Sequence, residues 1–362
     1  MKVCHLTSAH TQEDIRIFYK ECVSLAAAGY EVYQISCGDT YDKKGVHLIG
    51  IGAKPVGRMA RMRDTAKAVY EQAVELNADV YHIHDPELLP YGLKLKQRGK
   101  KVIFDSHEDI PAQIMDKEYI AKPLRNLVSC CYRAYESYVV KQLDAVVAAT
   151  PYIAEKFQRR CRKVITVNNY PRLDDIQFQE KSFDEREPII CYAGGINEIR
   201  GERIMVEAMK SVEGTLIMAG DHEKQSFSNV KYVGRFGRSE INNLYGCARA
   251  GMCILQPIKN YYYAHPIKMF EYMAAGLPVI ASDFPLWRKI VEDNDCGICV
   301  DPTDINAVSE VCTYLLSNPK KGERLGRNGR KAVLEKYNWA NEGKKLLALY
   351  GYLQKNCHRN GR

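Results

Sequence analysis

The chain has 362 residues, 46% of them hydrophobic, which is enough for two ordinary cores. Its 52 Lys and Arg against 44 Asp and Glu leave a formal charge of +8, which favours an anionic ligand or membrane surface. No basic block alternates with aromatics, so nucleic acid is not an expected partner.

No apolar run approaches the ~20 residues that span a bilayer. Met1-Lys-Val-Cys-His-Leu reads as a strand with no secretory leader. The thirteen cysteines are scattered and read as reduced thiols of a cytoplasmic protein, with no zinc expected.

Residues 3–7 read as a strand, 8–14 as a polar loop and 15–28 as a helix. Ile17, Phe18, Cys22 and Leu25 share one side of that helix, and Gly29 stops it. A second strand over 31–36 gives the order of a parallel, doubly wound sheet. The first loop has no G-x-G-x-x-G, which disfavours a dinucleotide dehydrogenase. It carries His10, Asp14 and Arg16 instead, and such sheets place ligands beyond the carboxyl ends of their strands.

Residues 57–64 hold Arg58, Arg61 and Arg63 at the start of a helix reaching about residue 76. Met59, Met62, Ala66, Val69 and Tyr70 make its core stripe. Cations at that end oppose the helix dipole, which an outside anion would offset. Two later strands end in titratable residues: His84 and Asp85 after one, Asp105, His107, Glu108 and Asp109 after the other. That convergence is poor for stability and characteristic of a site.

Residues 110–127 mix Ile114, Met115, Tyr119, Ile120 and Leu124 with Lys117, Lys122 and Arg125, a composition suited to an anionic lipid interface. Pro111 and Pro123 break this segment. A longer helix over 128–142 and two further strands close a first domain at residue 171. Residues 172–188 are polar and aperiodic and read as a linker.

A second domain, residues 189–337, starts with a strand over 189–193, then Gly194-Gly195, Arg200-Gly201 and a helix from Glu202. Strand, glycine turn and helix N-terminus in that order suit a phosphate. Strands over 215–220 and 230–235 follow. A loop over 258–264 with three tyrosines leads to His265-Pro-Ile-Lys-Met-Phe-Glu-Tyr-Met. Residues 268–275 read as a short helix burying Met269, Phe270 and Met273, with Pro266 in its first turn and Gly276 as C-cap. Glu271 lies beside that apolar side, where its carboxylate can accept two hydrogen bonds from a vicinal diol such as a ribose. A last amphipathic helix starts near 338, with Leu346, Leu347, Leu349, Tyr350 and Leu353 on one face.

The block from His265 to Asp283 closely resembles the nucleotide-sugar site of glycosyltransferase family 4, retaining enzymes of the GT-B architecture. The resemblance covers nearly the whole chain. It implies an α/β fold of two Rossmann-like, doubly wound parallel-sheet domains with a deep interdomain cleft, and residues 338–362 packing back on the first domain. Glu271 matches the second Glu of the family's E-x7-E motif; the first falls at Tyr263, which leaves the donor sugar open. By the same resemblance Gly194, Gly195, Arg200 and Lys268 hold the donor diphosphate, and Val233, Gly234 and Arg235 read the base. The loop 258–264, with Tyr263, is expected to line the sugar pocket, and His265, Pro266 and Ile267 are donor-binding candidates. His107 matches the family histidine that points at the sugar. Glu108 and Asp109 are then candidates for the acceptor hydroxyl or for orienting His107, and His10, Asp14, Arg16, His84 and Asp85 for the acceptor side.

GT-B enzymes lack the metal-binding D-x-D of the other major transferase fold, so no metal or other cofactor is expected. Similar bacterial enzymes build O-antigen or capsule on a polyprenyl diphosphate lipid. That implies a nucleotide-sugar donor, a lipid-linked glycan acceptor and peripheral contact with an anionic membrane. Two other classes share these features, a GT-B-type UDP-sugar epimerase and an inactive partner subunit.

Overall fold

The computed structural model describes residues 1–53, 57–115, 117 and 120–357. The chain forms two compact units. One is Met1–Asn169 together with the chain from Glu342, and the other is Tyr170–Asn341.

The first unit is built on eight strands: β1 (Lys2–Leu6), β2 (Glu31–Ser36), β3 (Tyr41–Lys43), β4 (Val46–Gly50), β5 (Val80–Ile83), β6 (Lys101–Ser106), β7 (Ala145–Ala148) and β8 (Val164–Thr166). Their order across the sheet is β3-β4-β2-β1-β5-β6-β7-β8, and every pairing is parallel except β3 with β4. Every residue of β5 and of β7 is buried, as expected where helices cover both faces of a parallel sheet. The register puts His5 of β1 directly opposite His82 of β5. All chain reversals from β1, β5 and β6 therefore leave the same edge of the sheet.

The helix expected from residue 15 is π-helical over Ile15–Cys22 before becoming α-helical over Val23–Ala27. It buries Arg16, Lys20 and Glu21 along with Ile17, Phe18 and Cys22. π turns are rare and concentrate at functional sites.

Three expectations are corrected here. Met59 and Met62 are exposed, Met59 at 78%, so the core stripe begins only at Ala66 and Val69. The reason is local: a π turn over Arg61–Thr65 shifts the register between the two methionines and the rest of the helix. The side chains of Arg58 and Arg61, and all of Tyr119, lie outside the described residues. Next, the helix expected from 128 begins at Lys122, because Pro123 sits in its first turn instead of breaking it. Arg125 spans the gap to the helix Ile110–Met115, donating to the carbonyls of Ile120 at 2.8 Å and Met115 at 3.1 Å. Finally, residues 172–188 belong to the second unit. Ile176 and Phe183 are buried in its core, and Arg186 Nη1 donates to Ala248 O at 3.0 Å.

The second unit has seven strands: β9 (Ile189–Ala193), β10 (Thr215–Ala219), β11 (Gln225–Phe227), β12 (Val230–Gly234), β13 (Ala250–Cys253), β14 (Val279–Ser282) and β15 (Gly297–Val300). Their order is β11-β12-β10-β9-β13-β14-β15, parallel apart from β11. Cys296 and Cys299 have C-x-x-C spacing, against the expectation of merely scattered thiols. β15 holds the chain extended between them, so their Cα atoms are about 10 Å apart, beyond disulfide reach. Burial pushes both thiols up to about 12, which leaves them unreactive.

Candidate functional site

In the second unit, β9 delivers the chain into Gly194-Gly195 at the carboxyl edge of the sheet. A Cβ on Gly194 would lie 3.1 Å from Lys268 Nζ, and one on Gly195 2.6 Å from Arg200 Nη1. The two glycines thus let two cations approach one turn of backbone. Lys268 Nζ stands 3.5 Å from the centroid of the Tyr192 ring and has no hydrogen-bond partner among the described residues. The residue as a whole is half-buried, but its ammonium is shut off from water. Burial pulls its pKa down to about 7; Arg200 adds to that, while Cys253 and Glu271 act the other way. A buried, unpaired cation of this kind is held ready for an anion.

Arg200 closes a single 3-10 turn, Glu198–Arg200, which Asn197 Oδ1 caps by accepting from Arg200 N at 3.0 Å. Gly201 then enters the helix Glu202–Met209 with φ +82°. A Cβ there would lie 1.8 Å from Ile254 O. Gly201→Ala is therefore expected to destabilise the unit by at least about 1–2 kcal/mol from the left-handed backbone alone, and by more from the clash. A urea melt would register this as a lower midpoint at unchanged slope.

Glu271 lies one turn beyond Lys268 on the helix Ile267–Ala274. Its Oε1 accepts from Arg238 Nη1 at 3.0 Å, and its Oε2 from the Tyr245 hydroxyl at 3.1 Å. Each carboxylate oxygen keeps a second lone pair for a ligand. The helix cannot rotate: Met269, Phe270, Tyr272 and Met273 are buried. The Tyr272 hydroxyl accepts from Ala193 N at 3.1 Å and donates to Met252 O at 3.3 Å. Lys268, Glu271 and the glycine turn are thereby tied to one rigid frame.

The residues before this helix differ from expectation in detail. Pro266 is its N-cap, and Ile267 is the first helical residue. His265 stacks on Tyr170 with centroids 5.7 Å apart, and burial pushes its pKa down to about 4, so it is neutral at pH 7. Tyr263 follows the helix Lys259–Tyr262 and is 43% exposed. Trp287 Nε1 donates to Ala264 O at 2.8 Å and fixes this loop. Val233 and Gly234 end β12, and Gly234 O accepts from Gly220 N at 2.9 Å. Arg235 is spent on an exposed pair with Asp221 at 2.8 Å.

In the first unit, β1, β5 and β6 bring a dense polar cluster to their shared edge. Asp105 is fully buried and accepts two parallel bonds from Arg16, at 3.0 Å from Nε and 2.9 Å from Nη2. Its Oδ2 also lies 3.2 Å from His107 Nε2 and 3.5 Å from His84 Nδ1. Burial alone would raise the Asp105 carboxyl, but the Arg16 charge and the His107 contact hold it well below the usual carboxylate range. Burial pushes His84 down to about 4. Behind these, Glu21 is fully buried, and its carboxyl is raised well above its ordinary value by burial and by the charge of Asp105. The Tyr350 hydroxyl lies 2.9 Å from His82 Nδ1 and 3.3 Å from His5 Nε2.

A family model described as Glycosyltransferase Family 4 matches residues 16–169, and one described as Glycosyl transferases group 1 matches residues 174–332. The chain belongs to the family 4-like glycosyltransferases of the GT-B architecture.

Among curated relatives, the MMP alpha-(1->4)-mannosyltransferase of Mycolicibacterium hassiacum is 31% identical over 26% of this chain and 23% of its own. The alpha-D-kanosaminyltransferase of Streptomyces kanamyceticus is 22% identical over 59% of this chain and 62% of its own. The matches thus span about a quarter of the length of the first curated relatives. In fold, the chain is similar to sucrose-phosphate synthase from Thermosynechococcus elongatus, with TM-score 0.79, 18% identity, and 98% and 99% of the two chains covered. It is also similar to HepE of Anabaena, solved in complex with UDP and glucose, with TM-score 0.70, 12% identity, and 97% and 100% covered.

Several expected site residues do structural work. Asp14 caps the helix at Ile15, accepting from Arg16 N at 2.8 Å and Ile17 N at 2.9 Å. Asp85 is buried and accepts from Thr7 Oγ1 and Ser8 N, both at 2.7 Å. Asp109 pairs with Lys156 and accepts from Ala112 N at 3.3 Å at the start of a helix. Glu108 is exposed and bonded to Gln113. Arg16 and His84 are buried; His84 Nδ1 lies 3.3 Å from His107 Nε2, and Arg16 holds Asp105, which also contacts His107. His107 and His10 keep partial exposure, with ring centroids 5.4 Å apart.

Arg238, Tyr245, Tyr192, His5 and Glu21 escape the sequence reading. Glu21 alone had a signal: it sits within the apolar stripe, three residues after Phe18 and four before Leu25, where a carboxylate needs a reason to be.

Proposed function

We propose that this glycosyltransferase moves a hexosyl group from a nucleoside diphosphate sugar to a hydroxyl of a glycan, with retention at the anomeric carbon. One observation carries the reading. A buried cation without a partner, Lys268, lies at a glycine turn beside Arg200, and Glu271 stands one helical turn away. That spacing suits a diphosphate at one end and a ribose diol at the other. The UDP complex of the HepE neighbour agrees with such a donor.

In this reading the bond from the anomeric carbon to the diphosphate breaks as charge grows on the phosphate. Arg200 and Lys268 neutralise that charge, and no metal is required. The leaving phosphate oxygen takes the acceptor's proton on the face from which it departs. His107, held by Asp105, serves the sugar and acceptor side. For the acceptor we favour a polyprenyl-diphosphate-linked oligosaccharide of O-antigen or capsule type. The helix Lys122–Val140 supports contact with an anionic membrane, since Leu124, Leu127 and Val128 are exposed beside Lys122 and Arg125. No helix among the described residues is long and apolar enough to cross a membrane.

Purified protein given a nucleotide sugar alone should slowly release free sugar and nucleoside diphosphate. An epimerised nucleotide sugar would mean an isomerase, and no binding of any nucleotide sugar would mean a partner subunit. Glu271→Ala is expected to weaken nucleotide-sugar binding on the order of 10²-fold, the loss of two charge-assisted bonds to a diol. Calorimetric titration that showed unchanged affinity in that variant would remove the ribose from Glu271.

A further inference from the structure

We propose that His5, Glu21, His82 and His84 form a closed site for a divalent transition metal, zinc by ligand type, buried in the first unit. All four side chains are fully buried, and one ligand atom from each lies within 4.8 Å of every other. Glu21 Oε2 is 3.8 Å from His5 Nδ1, 3.8 Å from His82 Nδ1 and 4.0 Å from His84 Nε2. His5 Nδ1 and His84 Nε2 are 2.9 Å apart. Metal–ligand bonds of about 2.0–2.1 Å in a tetrahedron put ligand atoms about 3.3 Å apart. The observed separations bracket that value; on binding, His82 Nδ1 gives up its 2.9 Å contact with the Tyr350 hydroxyl and the His5–His84 hydrogen bond opens, which leaves three imidazoles and one carboxylate for the ion.

The polar atoms of the cluster point to the same occupant. Glu21 has no hydrogen bond to either oxygen among the described residues. Arg16 Nε stands 3.1 Å from Oε1, which leaves Oε2, the oxygen facing the three imidazoles, to be satisfied otherwise. A carboxylate oxygen buried without a hydrogen bond is costly, and a coordinated cation removes the cost.

Two imidazoles are also backed on their far nitrogens: His84 Nδ1 lies 3.5 Å from Asp105 Oδ2, and His5 Nε2 lies 3.3 Å from the Tyr350 hydroxyl. Metal-bound histidines are oriented by such partners. The ligands come from the in-register pair on β1 and β5, from the residue just beyond β5, and from the π turn that carries Glu21 inward. With no open side, the ion would be structural. It would tie the helix after β1 to the sheet and fix the backing of His107, and it would act independently of the donor site on the second unit.

The rival arrangement is a proton on Glu21 shared with Asp105, and metal analysis separates the two. Full-length protein from zinc-replete cells, dialysed and assayed by plasma mass spectrometry, is expected to hold about one zinc per chain, a closed four-ligand site. Glu21→Gln should lose it, whereas His107→Asn should keep it. Should Glu21→Gln fail to fold, cobalt-substituted wild-type protein provides the check, through the strong visible bands of tetrahedral Co2+. Metal-free protein that takes up no cobalt, or zinc retained in folded Glu21→Gln, would overturn the assignment.

Discussion

Lys268→Met is expected to lower turnover of a nucleotide sugar about 10²–10³-fold, the loss that follows removal of one preorganised donor to a developing anion. Its melting temperature should hold or rise, because methionine fills similar space beside Tyr192 with no charge to desolvate. Loss of turnover without loss of stability separates a role at the phosphate from a role in folding.

The pH dependence sharpens the test. The free ammonium titrates near 7 instead of its ordinary 10.5. Below pH 7 it is charged and meets the diphosphate as a cation. Above pH 7, binding must first recruit a proton. Affinity for a nucleotide sugar, whose diphosphate diester keeps its charge, should be flat below about pH 7 and fall by up to tenfold per unit above it. Stability of the free protein has the opposite sign. Between 7 and 10.5 the unfolded chain binds more protons at this group than the folded one, so the contribution rises with pH. Titration calorimetry and thermal melts from about pH 6 to pH 9 read both slopes, and Lys268→Met should abolish both.

Asp105→Asn is the second large effect. The carboxylate is the shared acceptor of Arg16, His84 and His107, and it is fully buried. Removing its charge leaves the buried Arg16 guanidinium only Glu21 and the Val167 carbonyl as full partners, which costs about 3–5 kcal/mol. For a unit of this size that lowers the melting temperature on the order of 10 °C. An amide keeps one accepting oxygen, so it cannot serve Arg16 through both positions and also His84 and His107, which share Oδ2 with Arg16 Nε, and His107 loses its fixed orientation. Turnover should fall further than the melting curve explains, and calorimetry should still find the nucleotide sugar bound by the second unit. A variant melting within about 1 °C of wild type would show that the Arg16–Asp105 pair contributes little, as buried pairs sometimes do.

Much of this was legible in the residues alone. Strand, helix and strand in repeated alternation pointed to two doubly wound sheets, because a parallel strand needs a covered crossover. Gly194-Gly195 followed by Arg200-Gly201 and a helix could be picked out as a candidate anion site, and Glu271 beside Lys268 as a candidate diol end, since both patterns are local. Side-chain pairings between distant segments were not legible. Tyr350 meets His5 across 345 positions and Arg16 meets Asp105 across 89. Arg238 and Tyr245 reach Glu271 from a helix that carries no motif of its own.

Asp14, Asp85 and Asp109 looked like ligands because they follow strands or open helices, and the same placement makes them caps and loop anchors. The amino-acid order by itself determined which residues reach the carboxyl edge of each sheet, since periodicity and strand ends are properties of neighbouring residues. The tertiary structure alone decided which of those residues are consumed by one another and which remain for a ligand. Burial and hydrogen bonding depend on the order of strands across the sheet, which no short stretch of chain encodes.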